Sequence, residues 1–261
     1  MHFKSVLRTC FVLFFLTRGS AMAAPLMADY SGNDYEISPK HSEASKKSFQ
    51  KSLSGLYSIE SWRAIDIQQP YTHFEDLYNI APSAQQELAN LMNEVGLMTN
   101  TDIVLPDVKS RERAEKKIAT ELNGDASKIT DLARASLVAD DIHGLVNAFE
   151  LISKEATIVS VKNRFKTPTD SGYRDLKLLV QLPDSELIAE VQLHLDAISD
   201  VKNGEEHKIY EQIQHIERTA LSQNRPQNEF EMAQIKKLRA TSKSLYHDAW
   251  QQYLQPVSIA V

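Results

Sequence analysis

Two runs of alternating residues, separated by a short turn, set the tightest limit on how this chain folds. In Tyr173 to Leu182, one side of a strand presents Tyr173, Asp175, Lys177 and Leu179, and the other presents Arg174, Leu176, Leu178 and Val180. In Leu187 to Leu195, Glu190, Gln192 and His194 share a side opposite Ala189, Val191, Leu193 and Leu195. Pro183-Asp184-Ser185 lies between the runs and carries turn chemistry, so the two read as an antiparallel hairpin. Such a hairpin needs a sheet with one face covered by apolar partners, while the other face collects Tyr, Asp, Lys, Glu, Gln and His. On pattern alone two readings of that polar face stand: an ordinary solvated sheet surface, or the floor of a site.

The rest of the chain supplies the partners. Leu132 to Ala139 and Thr157 to Lys162 are β-compatible, with a helix over Ile142–Ile152 between them. Pro82-Ser83, followed by Gln86 and Glu87, reads as the start of a helix carrying Leu88, Leu91, Met92 and Val95 and closed by Gly96. A charged helix is expected over Ser110–Leu122, and a last one over Glu229–Leu254 after the break at Asn224-Arg225-Pro226-Gln227-Asn228. The expected class is α+β, a mixed four- to five-stranded sheet flanked by N- and C-terminal helices. Residues 24–50 are polar without sustained periodicity and read as a flexible arm, which leaves 51–261 as a single domain whose C-terminal helices occupy 213–255.

Several chemistries are excluded by composition. The chain has eight glycines in 261 residues, and no two lie closer than Gly19 and Gly32. Neither a P-loop nor a dinucleotide-binding glycine turn fits that spacing, so phosphate would have to be held by cationic side chains or a metal. The single cysteine, Cys10, rules out a disulfide framework and any cysteine-built metal centre. His73, His143, His215 and His247 show no metal-ligand spacing.

The first 23 residues read as a secretory signal peptide. Lys4 and Arg8 form a basic start, Cys10–Leu16 is a short apolar run, and Ala21-Met22-Ala23 is a small-x-small site with cleavage before Ala24. The apolar run is too short for a stable membrane anchor. Removing residues 1–23 takes away three cations and no acid, leaving 26 basic against 35 acidic residues. The expected product is a periplasmic or secreted, cysteine-free, acidic protein that is not a general nucleic-acid binder.

Against that acidic background the cations bunch. Lys109, Arg111, Arg113, Lys116 and Lys117 fall within nine residues, and Arg113 and Lys117 are one helical turn apart. Cations so spaced hold polyphosphate through charge-assisted hydrogen bonds, or they form a solvated face laced with Glu112 and Glu115.

Read in order, these segments resemble the synthetase domain of the RelA/SpoT-like nucleotide pyrophosphokinases over residues 105–212. That family carries K-x-x-x-S-x-x-x-K, then a strand opening with Asp, a G-Y-x-S-x-H strand, an E-V-Q-I-R-T strand and an E-H-x-x-Y-K helix. The chain has Lys109 and Lys117 eight apart, Asp131 opening Asp-Leu-Ala-Arg-Ala-Ser-Leu-Val, and Gly172-Tyr173-Arg-Asp-Leu-Lys177. It continues with Glu190-Val-Gln-Leu-His-Leu195 and Glu206-His207-Lys-Ile-Tyr210-Glu211. It departs at Arg113 for the serine, Asp175 and Lys177 for the serine and histidine, and His194 for the arginine.

The resemblance implies a nucleotidyltransferase-like synthetase fold and transfer of the β,γ-pyrophosphate of ATP to the 3′-hydroxyl of a guanine or adenine nucleotide. GTP or GDP is the first expected acceptor, and a tRNA end is a further one. Asp131 and Glu190 take the catalytic and magnesium-binding places, with Glu190 also placed to accept a proton. Tyr173 stacks on the acceptor base; Lys109, Arg113 and Lys117 hold the donor polyphosphate; Lys177, Gln192 and His207 are secondary contacts. A signal peptide joined to such a site implies an exported effector or toxin. The alternative is an inactive exported module on the same fold that binds nucleotide or protein, and nothing in the sequence specifies a homo-oligomer interface.

Overall fold

The computed structural model describes residues 43–255, and the expected signal peptide lies outside them. The element order is α1 (Glu43–Ser58), β1 (Trp62–Arg63), α2 (Phe74–Thr99), β2 (Asp102–Val104), α3 (Arg111–Glu121), β3 (Arg134–Ala139), α4 (Ile142–Glu155), β4 (Thr157–Asn163), β5 (Leu176–Gln181), β6 (Ile188–Leu195), α5 (Asp196–Asn203), α6 (Glu205–Ser222) and α7 (Glu229–Gln251). Among the described residues the strands form one sheet in the order β1-β4-β5-β6-β3-β2, in which only β3 and β6 run parallel. The α+β class and the mixed sheet are as expected. The count is six, because β1 and β2, of two and three residues, are too short to carry an alternating signal.

The hairpin forms, with the expected division into an apolar and a polar face. Leu176 pairs with Leu193, Leu178 with Val191 and Val180 with Ala189 on the apolar face, while Lys177 pairs with Gln192 and Leu179 with Glu190 on the other. The apolar face packs with Leu88, Met92 and Val95 of α2, Leu145, Ala148 and Ile152 of α4, Leu56 of α1, and Tyr246, Ala249 and Trp250 of α7 in one buried cluster. Fully burying each such aliphatic side chain contributes roughly 1.5–3 kcal/mol, and the apolar run of each strand is what recruits those helices. Residues 47–254 form one compact unit.

Several boundaries differ from the sequence reading: β3 begins at Arg134 and not Leu132, β5 at Leu176 and not Tyr173, and the helices after the sheet at Asp196 and not 213. Three further differences have a local reason. Helix α1 begins inside the stretch expected to be an arm; Phe49, Leu53 and Leu56 repeat at helical spacing and pack into the core, which outweighs the polar surroundings. Helix α2 starts at Phe74 and runs through Pro82, so Pro82-Ser83 does not open it. Buried Leu77 and Ala81 anchor the preceding turns in a second cluster, and that packing offsets the proline. Gly96 does not close α2, which ends at Asn100 in the left-handed region. Its hydrogen is needed because a Cβ there would meet Ile103 of β2 at 2.7 Å.

The expected break before the last helix is built as a capping box. The Asn228 side chain accepts from the Glu231 N–H at 2.8 Å, Glu231 reaches back to the Asn228 N–H at 2.9 Å, and Arg225 grips the Glu231 carboxylate with two 2.7 Å bonds.

Candidate active site

Asp131 sits at the junction of α3 and β3. Ala114 and Ile118 of α3 pack with Leu77 and Ala81 of α2 and with Ile129 and Leu132, which presses the basic helix against the chain entering β3. Arg111 locks the same contact from outside, holding Glu75 of α2 with two bonds of 2.6 and 3.0 Å while its guanidinium lies 4.6 Å from the centre of the Tyr78 ring. The Lys109 N–H donates to Leu132 O at 3.0 Å, so the two segments run side by side. As a result Lys109 Nζ at 3.0 Å and Lys117 Nζ at 2.7 Å both donate to Asp131 Oδ2.

Burial works against the Asp131 carboxylate. The hydrogen bonds and charges of Lys117 and then Lys109 outweigh it, so its pKa is held below the usual range. The second oxygen, Oδ1, is buried and has no hydrogen-bond partner.

Glu190 comes to the same end of the sheet. Arg134, three residues after Asp131, pairs with Glu190 across the parallel β3–β6 step, and the Glu190 N–H donates to Ala133 O at 3.1 Å. One buried side chain fixes this junction: the Gln69 amide donates to Ile129 O at 2.6 Å and Ile188 O at 2.9 Å and accepts from Ile188 N at 2.8 Å. Gln69 thus ties together points two residues before each carboxylate. Glu190 forms an ion pair with Lys177 of β5 through Oε2 and accepts from Gln192 Nε2 at 2.7 Å through Oε1. Asp131, just ahead of β3, is therefore held by two lysines, and Glu190 on the neighbouring β6 by one lysine and a glutamine.

The polar face is not an ordinary solvated surface. Asp175 and His194 are 0% and 1% exposed, and Glu190 is 8% exposed. Tyr173 leads into this network from a tight loop in which the Gly172 N–H donates to Thr169 O at 2.9 Å; Gly172 has φ +86°, the conformation that favours glycine. The Tyr173 hydroxyl donates to Asp175 Oδ2 at 2.9 Å and lies 2.8 Å from His194 Nε2, while Arg164 binds Asp175 Oδ1 at 2.6 Å. The Tyr173 ring lies edge-on to Tyr246 at 5.6 Å, and the Arg164 guanidinium is 5.7 Å from its centre.

Burial pushes the Asp175 carboxyl up, partly offset by Arg164 and Tyr173. Burial and then the charge of Asp175 raise the Tyr173 phenol. The His194 ring is pushed down to about 3 by burial and by the charges of Lys202 and Arg164, so it is neutral.

Seven of the nine predicted residues thus fall into three groups, and Arg113 and His207 stand outside them. Asp131, Lys109 and Lys117 form one cluster, and Glu190, Lys177 and Gln192 form a second on the adjoining strands. Tyr173 belongs to the Asp175–His194 network, which Lys202 Nζ joins to the Glu190 cluster by donating to Gln192 Oε1 at 3.2 Å and approaching His194 Nε2 at 3.5 Å. Arg113 is exposed on α3 and has no ion-pair partner among the described residues. His207 stands on the exposed face of α6, paired with Glu211 at 3.3 Å, and is not brought into any of these clusters. Its neighbour Glu206 is the buried member of that motif, accepting from Ser242 Oγ at 2.9 Å and Tyr246 Oη at 3.0 Å and so latching α6 to α7.

Gln69 and Lys202 escape sequence reasoning. Gln69 lies in an irregular segment with no period, and Lys202 reaches the site only because α5 turns back directly after β6. A groove of about 710 Å³ at the opposite edge, lined by Trp62, Phe149, Lys154 and Pro183 among others, contains none of the site residues.

No family model matches the chain. It is similar to the (p)ppApp synthetase toxin Tas1 of Pseudomonas aeruginosa, 27% identical over 159 residues, which cover 53% of this chain and 36% of Tas1. The match therefore spans about a third of the length of that relative. Its fold is that of the small alarmone synthetases. The small alarmone synthetase 2 of Bacillus subtilis aligns with a TM-score of 0.52 at 22% identity, over 69% of this chain and 93% of that one. The type VI effector Tas1, in complex with its immunity protein, aligns with a TM-score of 0.51 at 22% identity, over 69% and 96%.

The chain carries a domain with the fold of the small alarmone synthetases. Within that domain the two carboxylate clusters sit where β3 and β6 run parallel, and the Tyr173 network sits beside them on β5 and β6.

Proposed function

We propose that the chain is an ATP-dependent pyrophosphokinase that transfers the β,γ-pyrophosphate of ATP to the 3′-hydroxyl of a guanine or adenine nucleotide. The observation that carries this reading is Asp131, a buried carboxylate with one oxygen bound by two lysines and the other without a partner, beside the strand that bears Glu190. The similarity to a (p)ppApp synthetase toxin supports it and sets adenine beside guanine among the acceptors.

In this reading the acceptor 3′-oxygen attacks the β-phosphorus. The bond from that phosphorus to the oxygen bridging the α-phosphate breaks, AMP leaves with the electron pair, and the hydroxyl proton passes to Glu190. Lys109, Lys117 and Arg113 neutralise the donor polyphosphate, and Lys177 holds the Glu190 carboxylate in place. Tyr173 offers an aromatic surface to the acceptor base.

The orphaned Asp131 Oδ1 suits a hard cation, so Asp131 and Glu190 would hold a magnesium ion. Among the described residues no group of three or more His, Cys, Asp or Glu is placed to bind a metal, so phosphate oxygens would complete the shell. Bound there, magnesium supplies neutralisation of the charge on the transferred group.

We further propose that residues 1–23 export the protein and that it acts as a secreted effector on nucleotides outside its cell of origin. Among the described residues no helix is long and apolar enough to cross a membrane. A second reading, an inactive exported nucleotide- or protein-binding module, draws on the engagement of the Tyr173 hydroxyl with Asp175 and His194.

The test is incubation with β,γ-labelled ATP, magnesium and each of GTP, GDP, ATP, ADP and AMP. Transfer of label to an acceptor, lost by about 10³-fold or more in Asp131→Ala, is the expected result. Nucleotide binding by calorimetry without transfer would sink the enzymatic reading in favour of the module.

A further inference from the structure

Among the described residues, four cations at the polar side of the sheet are bound to carboxylates, whereas Arg134, set opposite Glu190, Lys162, set opposite Lys177, and Lys202 are not. Lys109 and Lys117 are bound to Asp131, Lys177 to Glu190 and Arg164 to Asp175. Lys202, in the last turn of α5, is partly buried and has no carboxylate within ion-pair distance; its acceptor is Gln192 Oε1 at 3.2 Å, and His194 Nε2 at 3.5 Å is at the limit of a hydrogen bond.

This arrangement fixes which way the Gln192 amide points. An ammonium only donates, so the oxygen of Gln192 must face Lys202. A carboxylate only accepts, so the nitrogen must face Glu190 Oε1, which it reaches at 2.7 Å. Flipping the amide would set an N–H₂ group against the ammonium and an oxygen against the carboxylate, costing both bonds. Glu190 is then gripped at each oxygen, by Lys177 on Oε2 and by Gln192 on Oε1.

We propose that Lys202 is a positioning residue for Glu190, acting through the orientation of the Gln192 amide. It holds the carboxylate that takes the acceptor's proton and does not itself touch substrate. The inference rests on the pyrophosphokinase reading for its role in turnover, and on the hydrogen-bond chain alone for the contact.

The experiment compares wild type, Lys202→Met, Lys202→Arg, Gln192→Leu and the Lys202→Met/Gln192→Leu double variant in pyrophosphate transfer. Lys202→Met is expected to lower kcat about tenfold with the KM for ATP and acceptor within about twofold. Gln192→Leu should do the same, the double variant should be no slower than the slower single one, and Lys202→Arg, which keeps a donor and a charge, should recover most of the rate. A several-fold rise in KM at unchanged kcat would mean that Lys202 binds phosphate directly and would overturn the proposal. So would losses that multiply in the double variant.

The side-chain amide signal of Gln192 in the ¹⁵N-labelled protein, assigned by its absence in Gln192→Leu, gives a readout that does not need turnover. It should shift or double in Lys202→Met and stay near its wild-type position in Lys202→Arg; an unmoved signal in Lys202→Met overturns the relay. A wild type that transfers nothing, with the signal still moving in Lys202→Met, would overturn the pyrophosphokinase reading and support the contact.

Discussion

Two buried aspartates of this domain lie in opposite electrostatic settings. Asp131 receives two ammonium groups on one oxygen, keeps its other oxygen unpartnered, and has a pKa below the usual range. Asp175 is wholly buried, bound at one oxygen by Arg164 and at the other by Tyr173, and burial drives its pKa up. The first carries spare ligating capacity beside two partly exposed lysines. The second is saturated by groups that are themselves part of the fold. A carboxylate kept ionised with an oxygen to spare is poised to bind something, whereas one with both oxygens satisfied is poised to hold something still.

Replacing each aspartate by alanine breaks the comparison most directly. Asp175→Ala removes a wholly buried carboxylate from between Arg164 and Tyr173 and leaves a cavity in its place, and is expected to cost about 3–5 kcal/mol of stability, measured by urea unfolding. Asp131→Ala frees Lys109 and Lys117, whose side chains are 14% and 23% exposed and can turn toward water, so its stability cost should be about 1–2 kcal/mol. The assay above reads the other half of the contrast, because activity should fall more in the variant that loses less stability. A larger stability loss for Asp131→Ala would show that its cluster is a fold element and not a binding site.

How much of this was legible follows from where the signals are local. The β5–β6 hairpin and the gathering of Lys177, Glu190 and Gln192 on one face came from period-two alternation, which needs no knowledge of distant contacts. The approach of Lys109 and Lys117 to one aspartate was prefigured only as a basic run, since α3 meets Asp131 through the cluster of Leu77, Ala114, Ile118 and Leu132 drawn from three separate segments. Gln69 was invisible because its partners Ile129 and Ile188 are 60 and 119 residues away. His207 looked like a site residue by its neighbours in sequence, but helical rotation gives the buried position to Glu206 and leaves His207 outside. The extension of α2 back to Phe74 was obscured by Pro82, whose local preference loses to the packing of Leu77 and Ala81.

Acid titration sharpens the same comparison at a smaller scale, because the two aspartates contribute with opposite sign. Asp131 has a lowered native pKa, so its contribution is fully present above the unfolded value near 3.9 and is lost as pH falls through the native one. Asp175 has a raised native pKa, so the fold favours its protonated form and stability is gained as pH falls through that value toward the unfolded one. In urea unfolding followed from pH 7 to 3, Asp131→Asn should flatten the loss of stability below about pH 4, and Asp175→Asn should remove a relief that wild type shows above it. Identical slopes in the two variants would mean that the aspartates are not electrostatically distinct.

The smallest expected effect decides between the two readings that the basic helix allows. Arg113 shares a face of α3 with Lys117 but stays exposed, with no ion-pair partner among the described residues, so removing it costs the fold nearly nothing. If α3 is only a solvated helix face, Arg113→Ala leaves every kinetic constant in place. If the exposed end of that face reaches the donor polyphosphate, the KM for ATP rises about two- to fivefold while the melting temperature stays within a degree or so, because a single exposed contact to phosphate is worth under about 1 kcal/mol. The increase should shrink as ionic strength rises, since an exposed charge acts through solvent and salt screens it within about 10 Å at 0.1 M. A salt-independent loss would instead point to a change in the packing of α3, and the kinetic role would then rest on Lys109 and Lys117 alone.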